Sequence, residues 1–259
     1  MLFGKKHDTA GSAGETPGRH WVVHRIGRLL GMNHRARDPE IEARNNLPIL
    51  SGLQRWQSRR LARSYDDLLQ APDSQAATRF FLSDLYGDHD VSLRDREMER
   101  VMPMMQRILP PAMLMIAADA IELAVLSHAL DLRVAEQLAL KGIDEAGIDV
   151  RSYAAAYRAA GHRRLRQRQI RRIESVGLAL GDAVNQPWIA RLLKLARGPA
   201  RLAGLHELHR FLERGFDSFG QLHDVPAFMS RLCGNERLVS EQLFAGRADP
   251  FGFGRDAIV

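Results

Sequence analysis

Apolar residues along this chain recur at the three-and-four spacing of helices and scarcely anywhere at the alternating spacing of strands. Between Trp21 and Leu30, the apolar Trp21, Val22, Ile26, Leu29 and Leu30 are interleaved with Arg25 and Arg28, the pattern of a short amphipathic turn or helix. A polar linker through Asn46 leads to a helix over about 48–70, ended by Ala71-Pro72 because the residue before proline avoids the α region. The next helix runs from about Ser74 to Tyr86 and closes at Gly87, which suits a left-handed cap. Ser92, with Asp95 three residues on, starts a helix toward Leu109 in a capping-box-like arrangement. Pro110-Pro111 then breaks the chain and opens a long apolar helix, since proline is tolerated in a first turn. Beyond the Gly142–Gly147 turn, helices are predicted at about 150–160, 162–180, 186–197, 199–220, 225–232 and 235–245. Gly181, Pro187, Gly198-Pro199, Pro226 and Gly234 supply the punctuation.

Composition agrees. Only Thr9, Thr16 and Thr78 represent threonine, while the straight-chain helix formers are plentiful. The expected fold is all-α, an irregular bundle of about nine to eleven helices. A length of 259 residues, 45% apolar and 26% charged, is enough to bury a substantial core. The expected organisation is a disordered leader over 1–19, a basic amphipathic segment and linker over 20–47, one helical domain over 48–249, and a tail over 250–259. Phe251 and Phe253 would hold that tail against the body.

The single cysteine, Cys233, excludes an internal disulfide, and its expected place is an inert one near a helix end. The start lacks the apolar stretch of a signal peptide. Asp119, Glu122 and His128 interrupt the most apolar region, so no membrane span is expected and a cytoplasmic location is the default. Net charge is +6, but residues 1–63 hold twelve Lys/Arg against five Asp/Glu, a local +7, so the remainder sums to −1. That basic section reads either as a solvated arm or as a contact for a polyanion or an acidic protein.

The densest basic run is His162 to Arg172. Leu165, Ile173, Val176 and Leu180 would form its narrow apolar stripe, with Arg164, Arg168, Arg171 and Arg172 gathered on a neighbouring face. Guanidinium groups at this density can neutralise phosphates, although the run itself offers no aromatic residue for base stacking. A solvated face, or ion pairs with acidic helices, is the competing use.

Other clusters carry weaker chemistry. His206, His209 and Glu213 share a helix face, but Leu205, Leu208, Leu212, Phe216 and Phe219 define the buried side, so the three are expected outside. Asp119 and Glu122 lie close around their helix axis with His128 nearly opposite, which points to ion pairing rather than one metal cluster. Asp84, Asp88, His89 and Asp90 offer hard-cation donors without the EF-hand spacing. No phosphate-binding glycine loop or nucleophile elbow is present, and neither cofactor nor metal is expected.

The segment Phe80-Phe81-Leu82-Ser83-Asp84-Leu85-Tyr86-Gly87, with Arg94-Asp95 after it, resembles the hallmark of an uncharacterised bacterial family of helical proteins. Phe211-Leu212-Glu213-Arg214-Gly215-Phe216 and Asn235-Glu236-Arg237 are similar to its later motifs. The likeness runs from about residue 45 to 253 and implies a helical fold with no established activity. Members often place proline after Tyr-Gly, where this chain has Asp88. Physically, Phe81 and Leu85 can bury together at a helix end, leaving Asp84 and Tyr86 for polar contacts such as an arginine from Arg94 or another helix.

The functional expectation is a noncatalytic module that binds a macromolecule, an acidic protein or nucleic acid, through the Arg164–Arg172 face and the basic N-terminal section. The alternative is an enzyme or ligand-binding protein with a pocket between helices lined by Asp84, Asp119, Glu122 or His128. Self-association stays open.

Overall fold

The apolar segment behind Pro110-Pro111 becomes the axis of the molecule. In the computed structural model, which describes residues 18–85 and 92–254, it forms α6 (Pro111–Leu140), with Pro111 in the first turn as the sequence implies. Around it run α1 (Arg19–Arg37), α2 (Ile49–Ser64), α3 (Asp66–Gln70), α4 (Gln75–Phe80), α5 (Ser92–Ile108) and α7 (Val150–Ala160). The chain continues through α8 (Arg163–Val184), α9 (Pro187–Leu202), α10 (His206–Phe219) and α11 (Val225–Phe244). The described residues contain eleven α-helices and no strand, so the all-α expectation holds.

α6 packs against α1, α2, α7 and α8. Toward its N-terminal half, Leu114, Ala118, Ile121 and Val125 meet Val22, Ile26 and Leu29 of α1 and Met102 of α5. Toward its C-terminal half, Val134, Ala135 and Leu138 meet Trp56, Tyr153, Tyr157 and Leu243. By length and hydropathy α6 also suits a membrane span, contrary to the expectation that no stretch does. A core helix passes the same test because a surface wrapped by four neighbours is apolar on most sides. A second core joins α2–α4, α8, α10 and α11 through Tyr65, Phe80, Phe81, Ile173, Phe219, Phe228 and Met229.

The family-like motifs meet in that second core. Phe80 lies 5.4 Å, ring to ring, from Phe211, and a Cβ at Gly215 would stand 2.8 Å from Cζ of Phe80. Glycine there is what lets α10 approach α4. Asp84 accepts from Nε of Arg214 at 2.9 Å, so an arginine of α10 is one of its partners. On α11, Asn235 donates to the Tyr65 hydroxyl at 3.2 Å, Glu236 accepts from Nη1 of Arg60 at 2.6 Å, and Arg237 pairs with Glu174. These motifs therefore clasp α4 to α10, and α11 to α2 and α8. Tyr86, Gly87, Asp88, His89 and Asp90 lie outside the described residues, as do the side chains of Leu85, Arg94 and Asp95.

Several predicted boundaries move. The N-terminal helix extends to Arg37 rather than ending at Leu30, and its inner face buries Val22, Ile26 and Leu29 against α6. Residues 19–37 are thus part of the helical body rather than a solvated arm. The helix expected over 48–70 bends at Tyr65, whose φ of −124° separates α2 from α3. The next one ends as a π-helical turn over Phe81–Leu85. Gly181 and Gly234 lie inside α8 and α11, and Gly198-Pro199 lies inside α9, so these expected breaks are absent. Pro199 leaves only the carbonyl four residues earlier without its donor, and Leu195 is exposed, so water can serve it. Cys233 consequently sits within α11 and is buried, its thiol pushed up to about 12 by burial.

Gly177 and Gly181 mark the closest approach of α8 to α11. A Cβ at Gly177 would meet the flexible end of Met229 at 2.4 Å, and one at Gly181 would meet Val225 Cγ1 at 2.6 Å. Alanine gains about 0.5–1 kcal/mol of helix propensity at either site, whereas overpacking costs about 1–3 kcal/mol. Methionine can swing aside and β-branched valine cannot. Gly181→Ala should therefore lower the urea midpoint clearly, and Gly177→Ala should lower it less. Equal midpoints for both variants and the parent would contradict the packing described.

Candidate functional site

The basic N-terminal section and the basic run of α8 are more than a hundred residues apart in sequence, yet both converge on α6. Asp119 and Glu122, three residues apart on α6, point into the seam between α1 and α8. Nη2 of Arg25 reaches Oδ1 of Asp119 at 2.6 Å and Oε2 of Glu122 at 2.5 Å. From the other side, Arg172 donates to Asp119 at 3.1 Å and to Glu122 at 3.3 Å, and Arg168 pairs with Glu122. Burial alone would raise the Glu122 carboxyl. Hydrogen bonds from Arg25 and Arg168, with the charge of Arg172, outweigh it and hold that carboxyl below its usual range.

The cluster holds three guanidinium groups against two carboxylates and so keeps a positive excess. Arg25 and both carboxylates are largely buried, while Arg168 is half-exposed. Arg164 and Arg171, on the outer part of the same α8 face, are exposed. On α1, Trp21 and Arg28 flank Arg25 one turn either way, and both are exposed. The Arg25 guanidinium lies 5.8 Å from the Trp21 ring centre. The four arginines expected to act as one contact face are therefore divided: Arg168 and Arg172 turn toward α6, Arg164 and Arg171 toward solvent. The exposed aromatic residue nearest this cluster on α1 is Trp21, beside Arg25.

The apolar stripe of α8 also differs from the expected one. Its buried line is Arg166, Gln169, Ile170, Ile173, Gly177 and Gly181, rotated by roughly 60° from Leu165, Val176 and Leu180. Arg166 is tolerated inside because its guanidinium sits 4.6 Å from the Tyr157 ring centre and donates to Gln169 at 3.2 Å. A sequence count that treats every arginine as outward cannot find that stripe.

The residues nominated for a pocket lie in separate places. Asp84 pairs with Arg214, and Asp119 and Glu122 with the arginines above. His128 is buried elsewhere, its Nε2 2.8 Å from Oδ1 of Asn45. The Asn45 amide nitrogen donates to the carbonyls of Ala36 and Glu42, which fixes Oδ1 toward the ring and makes Nε2 the donor. A cleft of ≈ 400 Å³ does open between the α2–α3 corner and α11, beside Ser64, Tyr65, Ser230, Arg231 and Asn235, away from all four nominees.

His209 corrects another expectation, because it is buried rather than on an outer face. α10 is enclosed by α4, α5, α8 and α9, so a side opposite the leucines still meets protein. Among the described residues neither His209 nitrogen has a hydrogen-bond partner, and Glu213 lies 3.9 Å away while engaged with Arg197. Sequence reading missed Glu97 altogether. Fully buried on α5, it accepts from the Leu208 N–H at 2.7 Å and so caps α10 from outside. Arg100, one turn later, donates to the Ala203 carbonyl at 2.6 Å, where α9 ends. No group of three or more His, Cys, Asp or Glu among the described residues is placed to hold a metal ion.

Residues 36–250 match the model of a family described as a domain of unknown function (DUF8198), and the chain belongs to that family. All three motif segments fall within the match, whereas α1 up to Arg35 precedes it. No curated protein and no solved structure matches the chain.

Burial moves the His128 imidazole down to about 4, with the Arg37 charge acting in the same direction. In the unfolded chain the ring takes up its proton near 6.5, so the unfolded state binds more protons between about pH 6.5 and 4. The stability due to neutral His128 is complete above that window and is lost as pH falls through it. Chemical denaturation from pH 7 to pH 5 should show a slope of up to about 1.4 kcal/mol per pH unit from this residue. His128→Gln, which keeps a donor for Asn45, should flatten the profile; an unchanged slope would contradict a buried neutral ring.

Proposed function

We propose that this member of the family is a noncatalytic docking module for single-stranded nucleic acid, bound on the surface that α1 and α8 build across α6. The observation that carries the reading is the surplus of guanidinium groups at Asp119 and Glu122, bordered by exposed Arg28, Arg164 and Arg171 and by Trp21. Guanidinium planes pair with phosphate oxygens through two parallel hydrogen bonds, which lysine does not match. The two carboxylates anchor the inner arginines and leave the outer ones for a ligand. Trp21, half-exposed beside Arg25, supplies a ring on which a base can stack.

The pocket reading has less to stand on. Asp84, the Asp119–Glu122 pair and His128 spend polar atoms on protein partners in three separate parts of the bundle. An acidic protein would find the same charges, but it has no comparable use for the exposed indole.

A labelled oligothymidylate followed by fluorescence anisotropy tests the proposal. Binding should weaken steeply with salt, by a slope of about 0.7 per phosphate contacted. The double variant Arg164→Glu/Arg171→Glu should bind at least roughly tenfold more weakly and show a shallower slope. Trp21→Ala should weaken binding without changing the slope. Absence of binding at low salt overturns the reading, as does binding to acidic polypeptides alone.

A further inference from the structure

α9 presents a second kind of surface. Trp188, Leu195 and Leu202 recur every seven residues, so they form one line along the helix. That line faces outward: the three residues are 41%, 77% and 92% exposed. Ile189 is the helix's one buried residue, so α9 is held to the body along a narrow inner edge. Arg191, Lys194 and Arg201 are exposed along one flank of the stripe, and α9 carries no carboxylate.

The apolar surface continues onto α5. Arg100 binds the Ala203 carbonyl at the end of α9, and Met104 and Ile108 follow it at one-turn intervals on the same side of α5. Both are more than half exposed. Arg107, also exposed, lies between them. Two amphipathic helices therefore show outward apolar lines, flanked among the described residues by Arg191, Lys194 and Arg201 on α9 and by Arg100 and Arg107 on α5.

We propose that this α9–α5 surface docks on an anionic phospholipid membrane, with α9 lying in the headgroup plane. The charges choose the occupant. A second copy meeting this face through its own would bring Arg191, Lys194 and Arg201 against their counterparts, which repel. An anionic lipid surface complements them, accepts shallow leucine side chains, and favours an indole at the water boundary. Depth is limited because α9 stays attached to α8 and α10, so the contact is peripheral. The proposal is independent of nucleic-acid binding and uses none of the α1–α8 arginines.

Flotation of the full chain with vesicles of mixed phosphatidylglycerol and phosphatidylcholine, and with phosphatidylcholine alone, provides the test. The chain should float with the anionic vesicles and stay in solution with the neutral ones. Leu195→Glu/Leu202→Glu, both at exposed positions, should reduce flotation at least tenfold with an unchanged circular dichroism spectrum. Arg191→Glu/Lys194→Glu should reduce it in a salt-sensitive way, and Arg164→Glu/Arg171→Glu should leave it unaltered. Failure to float with anionic vesicles, or flotation that survives Leu195→Glu/Leu202→Glu, overturns the proposal. So does a dimer that Leu195→Glu/Leu202→Glu dissociates in the absence of vesicle binding.

Discussion

Two carboxylates in the seam that α1 and α8 form over α6 constrain the layout of this protein. Asp119 and Glu122 sit where α6 is covered on both sides, and a carboxylate in such a place needs charged hydrogen-bond donors. The donors come from α1 on one flank and α8 on the other. One requirement of the core thus determines where the N-terminal helix lies and which way the arginine-rich helix is turned. Removing one member would leave a half-buried charge without its counterpart, which costs far more than a surface pair contributes.

The same logic of distant partners recurs elsewhere. Glu97 and Arg100, one turn apart on α5, serve the two helix ends that meet near Ala203: the carboxylate takes the Leu208 N–H in the first turn of α10, and the guanidinium takes the Ala203 carbonyl that closes α9. Glu236 on α11 receives Arg60 and Tyr65 from the α2–α3 corner. Asp84 holds Arg214. The family-like motifs are largely such clasps, with Gly215 making room for Phe80. Residues with that duty are poor candidates for chemistry, because their polar atoms are already committed. Among the described residues, Arg28, Arg164 and Arg171 and the outward apolar line of α9 form no such clasp.

The fold class was legible because period and composition pointed one way. Helices flanked by strong signals, such as Pro110-Pro111 before α6 or the Asp149–Ser152 capping box of α7, stand close to where the pattern puts them. The misplaced breaks have a common origin. Gly181 looks like punctuation in the sequence, yet its missing side chain is what admits Val225, so its meaning is tertiary. His209 is expected outward, and nothing local marks Arg166 as inward, because polar residues on an amphipathic helix usually face water. Both sit on helices surrounded on several sides, where no face is simply outside. The ion pairing of Asp119 and Glu122 could be anticipated from the cost of buried charge. That Arg25 and Trp21 would join α8 there could not, because no local signal links residue 25 to residue 168.

The central claim is that α1 belongs to the body and is held there by the α6 carboxylates. Hydrogen–deuterium exchange of the α1 amides, in the parent and in Asp119→Asn/Glu122→Gln, addresses it most directly. Protection of residues 22–33 comparable to that of α6, lost selectively in the variant while α7 and α11 stay protected, is the expected result. Exchange of those amides at free-chain rates in the parent protein would contradict the account.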